Sequence, residues 1–438
     1  MRADSGARDV RNRYIDAAIL ALAKVAVSLW VLRLGFSHVS DDDFARTVIA
    51  QTFAGAPKLD PSGTSWLPLP FWLTGGAMMV LGRSIAVARG VAIALGALSA
   101  GGLYLSARDA EVPRLPAVMG TLLGLALPWS AWLGAATVPE VLAANLAAAG
   151  LLGLLRSDGP RPVHGLLLGL ATLCRYEPWT LALGFAVAST VTGIRRRPRT
   201  LHAFAPALLA LTGMILWMAW NAHAHDGPLH FFDRVARFRR ASESGDAPWL
   251  TKVLVYPAAF VRGSPELTLG AAVLACIAAL RSELRRRTGP LLGVMVFAFA
   301  ALVYGNVRDG APTHHAERSM LPLFVLVALL LCDALARAVA KRAESRRGLV
   351  RVLGVVTAGA AIVSYAGRYR DFPGTGDAAR DAQLARGAAL RSEAHLTVEP
   401  CAYEHFALIA AYGAPERVTS LPTRKLPVTD ACPAVDTK

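Results

Sequence analysis

The stretch Ser40-Asp41-Asp42-Asp43-Phe44 places three consecutive carboxylates directly after the first long apolar segment of the chain, residues 14–34. At about 1.5 Å of rise per residue, that segment is long enough to cross a hydrocarbon core of roughly 30 Å as a helix. Three adjacent acids cannot lie in lipid, because each ionised side chain there costs several kcal/mol. The triplet is therefore expected in the first loop outside the membrane, close to the membrane surface.

The composition is that of a polytopic membrane protein. Of the 438 residues, 54% are hydrophobic and 18% are charged, and the apolar residues come in long runs. The formal net charge is +15, but the basic residues form short clusters between apolar segments, as topological anchors do. The sequence shows no zinc-finger spacing, Gly-rich phosphate loop or aromatic-interleaved basic patch, so the expected partner is the lipid bilayer and not nucleic acid.

The positive-inside rule predicts an all-α fold with about eleven transmembrane helices. The predicted segments are 14–34, 87–107, 115–133, 138–155, 163–174, 179–194, 202–220, 266–280, 290–304, 321–336 and 349–365. With these segments, every strong basic cluster lies on one side of the membrane. The first segment, residues 14–34, is predicted to be an uncleaved signal anchor. The expected location is therefore a bacterial inner membrane, with a cytoplasmic N-terminus and a periplasmic C-terminus.

Two domains are expected. Residues 1–366 form the transmembrane domain, and its external loop at 35–89 includes a Pro- and Gly-broken apolar stretch, 66–81, predicted to be an interfacial or re-entrant helix. Residues 367–438 form a small periplasmic α/β tail. Because that compartment is oxidising and the tail is too small for a large core, Cys401 and Cys432 are predicted to form a disulfide.

On this topology, polar residues gather at the outer face. They are Asp41, Asp42, Asp43, Glu140, Arg175, Tyr176, Glu177, His314, His315, Glu317 and Arg318. Acids beside guanidinium groups at headgroup height suit the transfer of a sugar from a lipid phosphate. A carboxylate can deprotonate an acceptor hydroxyl, and positive charge from arginine or a metal can stabilise the departing phosphate.

Five stretches carry a resemblance to a known family. They are SDDDFARTVIAQ (40–51), SWLPLPFWLTG (65–75), TVPEVL (137–142), GLLLGLATLCRYE (165–177) and HAERSMLPLF (315–324). Together they resemble the GT-C class of membrane glycosyltransferases, which includes protein O-mannosyltransferases and lipid A aminoarabinose transferases. The resemblance covers residues 14–335 and implies a polyprenyl-phosphate sugar donor, with a glycan, lipid or protein as acceptor.

The resemblance also implies roles for individual residues. Asp41 or Asp42 would be the catalytic acid/base, with Asp43 as the third candidate because the family has two acids where this chain has three. Glu140 would assist the acceptor or, with Asp42, hold Mg²⁺ or Mn²⁺. Arg318, and more weakly Arg175, would bind the donor phosphate. The expected substrate pocket is lined by Arg46, Trp66, Trp72, Tyr176, Glu177, His314, His315 and Glu317.

Other interpretations of the same residues remain open. Glu140 could simply favour a helix dipole, Arg175 and Glu177 could be a plain ion pair, and the tryptophans could be an interfacial belt. His314 and His315 resemble half a metal site without a third ligand. At the level of function, the alternatives are a transporter or flippase of a lipid-linked glycan, or a scaffold that presents the tail. Transporters, however, place ionisable residues near the midplane.

Overall fold

A computed structural model describes residues 2–63, 65–195, 203–225, 227–242, 248–308, 315–340, 344–372, 377–398 and 405–420. In the first part of the chain the helices are α1 (Arg2–Arg33), α2 (Asp42–Gly55), α3 (Leu69–Leu81), α4 (Ile85–Asp109), α5 (Arg114–Ala126), α6 (Pro128–Ala135), α7 (Glu140–Leu151), α8 (Pro162–Thr172) and α9 (Glu177–Arg195). They continue as α10 (Ala205–Ala224), α11 (His230–Ser242), α12 (Trp249–Gly263), α13 (Pro265–Leu280), α14 (Ser282–Val307), α15 (Glu317–Ala340), α16 (Glu344–Gly367), α17 (Ala378–Ala389) and α18 (Phe406–Tyr412).

Five helices in the described ranges are long and apolar enough to cross a membrane: α1, α4, α10, α14 and α15. Two bent pairs, α5 with α6 and α12 with α13, bring the number to seven if each pair is one span. The apolar stretches of α3, α8 and α7 with its 3-10 extension are shorter. The chain is thus a multi-pass membrane protein in which several of the predicted segments are short or broken helices.

The most deeply buried span is α15, which is 78% buried inside the protein, whereas the other four spans are 28–33% buried. It packs against α5, α7 and α13, so it lies at the centre of the helical domain. Gly120 of α5 allows this approach, because a Cβ there would lie 2.7 Å from the Cα of Leu329. At the start of α15, Arg318 contacts Glu140, the first residue of α7.

The helix breaks occur at proline. The predicted segment 115–133 is not straight: α5 and α6 meet at an angle of 65°. Leu127, between them, has the extended conformation φ −48°, ψ 136°, which a residue before proline adopts because the proline ring clashes with a helical neighbour. Ser264 before Pro265 breaks α12 from α13 in the same way, at 102°.

The C-terminal tail packs on the segment that follows α1. Strands β1 (Leu396–Val398) and β2 (Val418–Ser420) pair in parallel, and α17 and α18 pack beside them. One apolar cluster joins Phe44 and Val48 of α2 to Phe406 and Ile409 of α18. The tail is thus a small α/β unit attached to the helix that begins with the aspartate triplet. Cys401 and Cys432, predicted to form a disulfide, lie outside the described residues.

Candidate active site

Glu140, the first residue of α7, is the centre of a buried cluster of charged side chains. It is 1% exposed, and its Oε1 atom accepts hydrogen bonds from Arg175 Nη1 and from Arg318 Nε and Nη2, the Nε contact being 2.9 Å long. A buried carboxylate is stable only when it is paired and hydrogen-bonded. Here one carboxylate faces two guanidinium groups, so the three side chains together carry a surplus positive charge.

Arg318 also faces the first loop. Its Nη1 atom lies 3.7 Å from Asp42 Oδ2, which is close enough for ion pairing but too far for a hydrogen bond. The Asp42 side chain is 32% exposed, whereas that of Arg318 is 7% exposed. Asp42 is therefore the acid of the cluster that a substrate can reach, and Arg318 bridges it to Glu140.

Arg175 connects the cluster to the start of α9. Its Nε atom donates to Glu177 at 2.9 Å, and Ser319 donates its hydroxyl to the same carboxylate at 2.9 Å. Burial alone would lower the pKa of Arg175, but Glu140 and Glu177 raise it above its ordinary value. Arg175 is thus both the partner of Glu177 and a second cation beside Glu140, which the sequence left as alternatives.

The other two aspartates of the triplet face elsewhere. Both Asp41 carboxylate oxygens lie 2.7 Å from guanidinium nitrogens of Arg380 in the tail. Asp43 is 2% exposed and accepts hydrogen bonds from the backbone N–H groups of Val39, Ser40 and Thr137 at 3.0–3.3 Å. Burial raises the pKa of Asp43, and these donors lower it by less. The triplet is consequently not a single group facing one cavity.

Arg46, one turn into α2, is a third arginine near the cluster, and it is buried. It is 8% exposed, and its Cζ lies 4.4 Å from the ring centre of Trp66. Within the described residues, its Nε and Nη1 atoms have no hydrogen-bond partner. Burial lowers the pKa of Arg46, while the charges of Glu140 and Asp42 raise it. Unpaired buried donors of this kind suit an anionic or hydroxyl-bearing ligand.

Two of the residues predicted to line the pocket are held by other contacts. Tyr176 donates its hydroxyl to the Ser65 carbonyl at 2.7 Å and stacks on Phe231 at 4.4 Å. Trp72 donates its ring N–H to the Leu59 carbonyl at 3.1 Å. Both side chains hold the loop between α2 and α3, and neither contact is to the Glu140 cluster.

The residues predicted at the start of α15 and just before it contact other parts of the protein. The His315 ring lies 5.2 Å from the ring of Trp129, and the backbone there has φ +57°. Glu317 packs beside Gly263, where an added Cβ would lie 2.8 Å from the glutamate Cγ. His314 lies outside the described residues.

A metal held by Asp42 and Glu140 does not fit this geometry, because the Arg318 guanidinium contacts both carboxylates. In the described part of the chain, no group of three or more His, Cys, Asp and Glu side chains is placed to hold a metal ion.

Sequence reasoning did not single out three residues of this region. Thr137 donates both its N–H and its hydroxyl to Asp43, Ser319 binds Glu177, and Arg380 binds Asp41. Thr137 and Ser319 belong to the stretches TVPEVL and HAERSMLPLF. Their nearness in sequence to Glu140 and Arg318 could therefore have marked them as candidate site residues. For Arg380, in a tail without resemblance, no such signal exists.

The basic clusters gather at the opposite end of the helices. Arg156 and Arg161 pair with Asp109, while Arg287 and Arg337 pair with Asp333. Arg318 stands near the start of α15 and Arg337 near its end, so 19 positions separate the two residues, at roughly 1.5 Å of rise each. The Glu140 cluster thus lies at one end of the bundle and the arginine clusters lie at the other.

Solved structures share this architecture. The chain is similar to ArnT from Cupriavidus metallidurans in the apo state, with a TM-score of 0.61 and 16% identity over 92% of this chain and 88% of that one. It is similar to the same protein bound to undecaprenyl phosphate, with a TM-score of 0.57 and 16% identity over 92% of this chain and 89% of that one.

An archaeal structure gives a third similarity. The oligosaccharyltransferase of Archaeoglobus fulgidus, in complex with Zn and sulfate, matches with a TM-score of 0.55 and 14% identity, over 91% of this chain and 62% of that one. No protein-family model matches the chain, and no curated protein matches its sequence significantly. At these identities the similarities show the fold. The predicted GT-C-like, all-α membrane fold with a small α/β tail is confirmed.

Proposed function

We propose that this protein is a glycosyltransferase that takes a sugar, a hexose or pentose, from a polyprenyl-phosphate donor. The acceptor would be a glycan, lipid or protein at the periplasmic face of a bacterial inner membrane. The observation that carries the proposal is the contact of Arg318 with both Asp42 and Glu140 at the end of the bundle away from the arginine clusters. A lipid phosphate in the headgroup layer would meet this cluster while its tail stays in the bilayer.

The chemistry follows from the geometry. The acceptor hydroxyl enters beside Asp42, which takes its proton as the hydroxyl oxygen attacks the anomeric carbon of the donor. The bond between that carbon and the phosphate oxygen breaks, and the phosphate leaves with the bonding electrons. Arg318 stabilises the leaving phosphate, since guanidinium groups bind phosphate through paired hydrogen bonds.

Glu140 keeps the cations in place. It holds Arg175 and Arg318 by hydrogen bonds, so their charge is oriented before substrate binds, which is what makes electrostatic stabilisation efficient. Arg46, whose Nε and Nη1 have no partner among the residues that the structure describes, supplies a further donor for phosphate or sugar oxygens. ArnT and the archaeal oligosaccharyltransferase, each solved with a lipid phosphate, support a lipid-linked donor.

The test is transfer by purified protein. Radiolabelled polyprenyl-phosphate hexoses and pentoses are incubated with the protein and a membrane extract, and the labelled fraction identifies the acceptor class. Asp42→Asn is expected to reduce the transfer rate at least about 100-fold, because a positioned base contributes that much. Asp381→Asn, an exposed tail aspartate, is the matched control and is expected to keep full activity.

Two results would contradict the proposal. One is full transfer by an Asp42→Asn protein that is inserted normally in the membrane. The other is movement of an intact lipid-linked glycan across vesicles without transfer of its sugar, which would indicate a flippase.

A further inference from the structure

The tail contacts the aspartate triplet through an ion pair with defined geometry. Arg380, on the first turn of α17, donates from Nε and Nη2 to the two oxygens of Asp41, each at 2.7 Å. Their side chains are only 17% and 24% exposed. A two-bond fork of this kind fixes the orientation of the carboxylate as well as its position.

A second contact joins the same turn of the tail to the loop before the triplet. Asp377 caps α17 by accepting from the N–H groups of Ala379 and Arg380, each at 3.1 Å. Its other oxygen lies 3.4 Å from Nε2 of the buried His38. The tail therefore contacts His38 and Asp41, on either side of Ser40 and just before α2 begins at Asp42.

The rest of the tail holds α2 along its length. Gln51 donates to the Ala410 carbonyl at 2.8 Å, and Arg83, which follows α3, forms a two-bond pair with Glu416. These contacts accompany the apolar cluster shared by α2 and α18. The tail is consequently docked against α2 over about three turns.

This docking determines which aspartate faces the cluster. Successive side chains on a helix point about 100° apart, so holding one carboxylate at the start of α2 sets the direction of the next two. Asp41 points to Arg380 and Asp43 to the backbone of Val39 and Thr137, which leaves Asp42 beside Arg318.

We infer that Arg380 is a positioning residue: it holds Asp41 so that Asp42 faces Arg318, and the C-terminal tail thereby completes the active site. The inference rests on the proposed function. It assigns Asp41 a role in holding the tail and not in proton transfer, and it makes the tail a required part of the transferase.

The experiment compares Arg380→Gln with Arg386→Gln in the full-length protein. Arg386 lies on the same helix and is exposed. For Arg380→Gln, kcat for transfer is expected to fall about tenfold or more, since small misplacements of a reacting group have effects of that size. The KM for the lipid donor is expected to stay within about twofold, because the phosphate-binding arginines are untouched. Arg386→Gln is expected to match the wild type.

Charge exchange separates positioning from proton transfer. The double variant Asp41→Arg with Arg380→Asp restores the ion pair with reversed charges, so it is expected to recover most of the kcat lost in Arg380→Gln. If Asp41 were the base, the double variant would lack it and show less activity than Arg380→Gln, and that result would overturn the inference.

Hydrogen exchange supplies a readout that does not depend on activity. Amides of residues 40–47 are expected to exchange faster in Arg380→Gln than in Arg386→Gln. Unchanged kcat in Arg380→Gln, with an active wild type, overturns the positioning role whatever the exchange shows. A wild-type protein that transfers no sugar refutes the proposed function instead. In that case, unchanged amide exchange of residues 40–47 in Arg380→Gln also refutes the role of the Arg380–Asp41 ion pair in holding the start of α2.

Discussion

Asp41, Asp42 and Asp43 are chemically identical neighbours with three different environments. Asp41 is bound by a tail arginine, Asp42 is partly open beside Arg318, and Asp43 is buried against backbone N–H groups. The difference arises from their positions at the start of α2, where each successive side chain points in a new direction. Side-chain chemistry alone therefore could not identify the reactive acid.

Asp43→Asn tests the structural role of the third aspartate. The amide would place a donor where the carboxylate now accepts backbone N–H groups, so the free energy of unfolding is expected to fall by about 1–3 kcal/mol. Asp42→Asn is expected to change it by less than about 0.5 kcal/mol, because that side chain is partly exposed and not hydrogen-bonded to Arg318. Thermal unfolding of both proteins in detergent measures the difference. A larger loss for Asp42→Asn would contradict the assignment.

Glu140→Gln tests the charge balance of the buried cluster. The change leaves Arg175 and Arg318 without their shared carboxylate, and breaking a buried pair costs about 3–5 kcal/mol. Removing one cation as well, in Glu140→Gln with Arg175→Gln, is expected to cost less than the sum of the single changes. Glu393→Gln, at an exposed site, is the control. Additive losses in thermal unfolding would show that the two residues are not coupled.

At the scale of the elements, proline accounts for what the hydropathy pattern could not predict. The apolar segments were recognisable by length and composition, and segment 138–155 corresponds to α7 with its 3-10 extension. The segment 115–133 is nevertheless broken, because Leu127 precedes Pro128 and leaves the helical conformation. An average of hydrophobicity over a window of residues does not report the backbone conformation of one residue, although the Leu127-Pro128 pair is visible in the sequence.

Helix packing offers a prediction at this scale. Gly165 of α8 faces α10, where an added Cβ would lie 2.1 Å from the Pro206 carbonyl oxygen. Gly165→Ala is therefore expected to destabilise the protein by about 1–3 kcal/mol through overpacking. Gly102→Ala in α4 meets no atom within 4 Å, so it is expected to be neutral or to stabilise by up to about 1 kcal/mol. Thermal unfolding that ranks the two variants in the opposite order would contradict the observed packing.

At the scale of the whole molecule, charge separates the two ends of the bundle. Every strong basic cluster was predicted on one side; among the described residues, Arg156 pairs with Asp109, and Arg287 and Arg337 both pair with Asp333. The sequence predicted Glu140, Arg175 and Arg318 at a common face, and the three side chains are in contact in the fold. It could not indicate that Arg380 binds Asp41, since 339 positions separate the two residues and only the folded chain brings them together.

The most direct measurement is the affinity of purified protein for a polyprenyl phosphate without sugar, with Arg318→Lys compared with Arg337→Lys. The two arginines lie at opposite ends of α15, and each pairs with carboxylates. Lysine keeps the charge but loses the two-bond fork, so Kd for Arg318→Lys is expected to rise about tenfold or more. Arg337→Lys is expected to bind as the wild type does. Equal affinity in all three proteins, or a matching loss in Arg337→Lys, would contradict a lipid-phosphate site at the Asp42, Glu140 and Arg318 cluster.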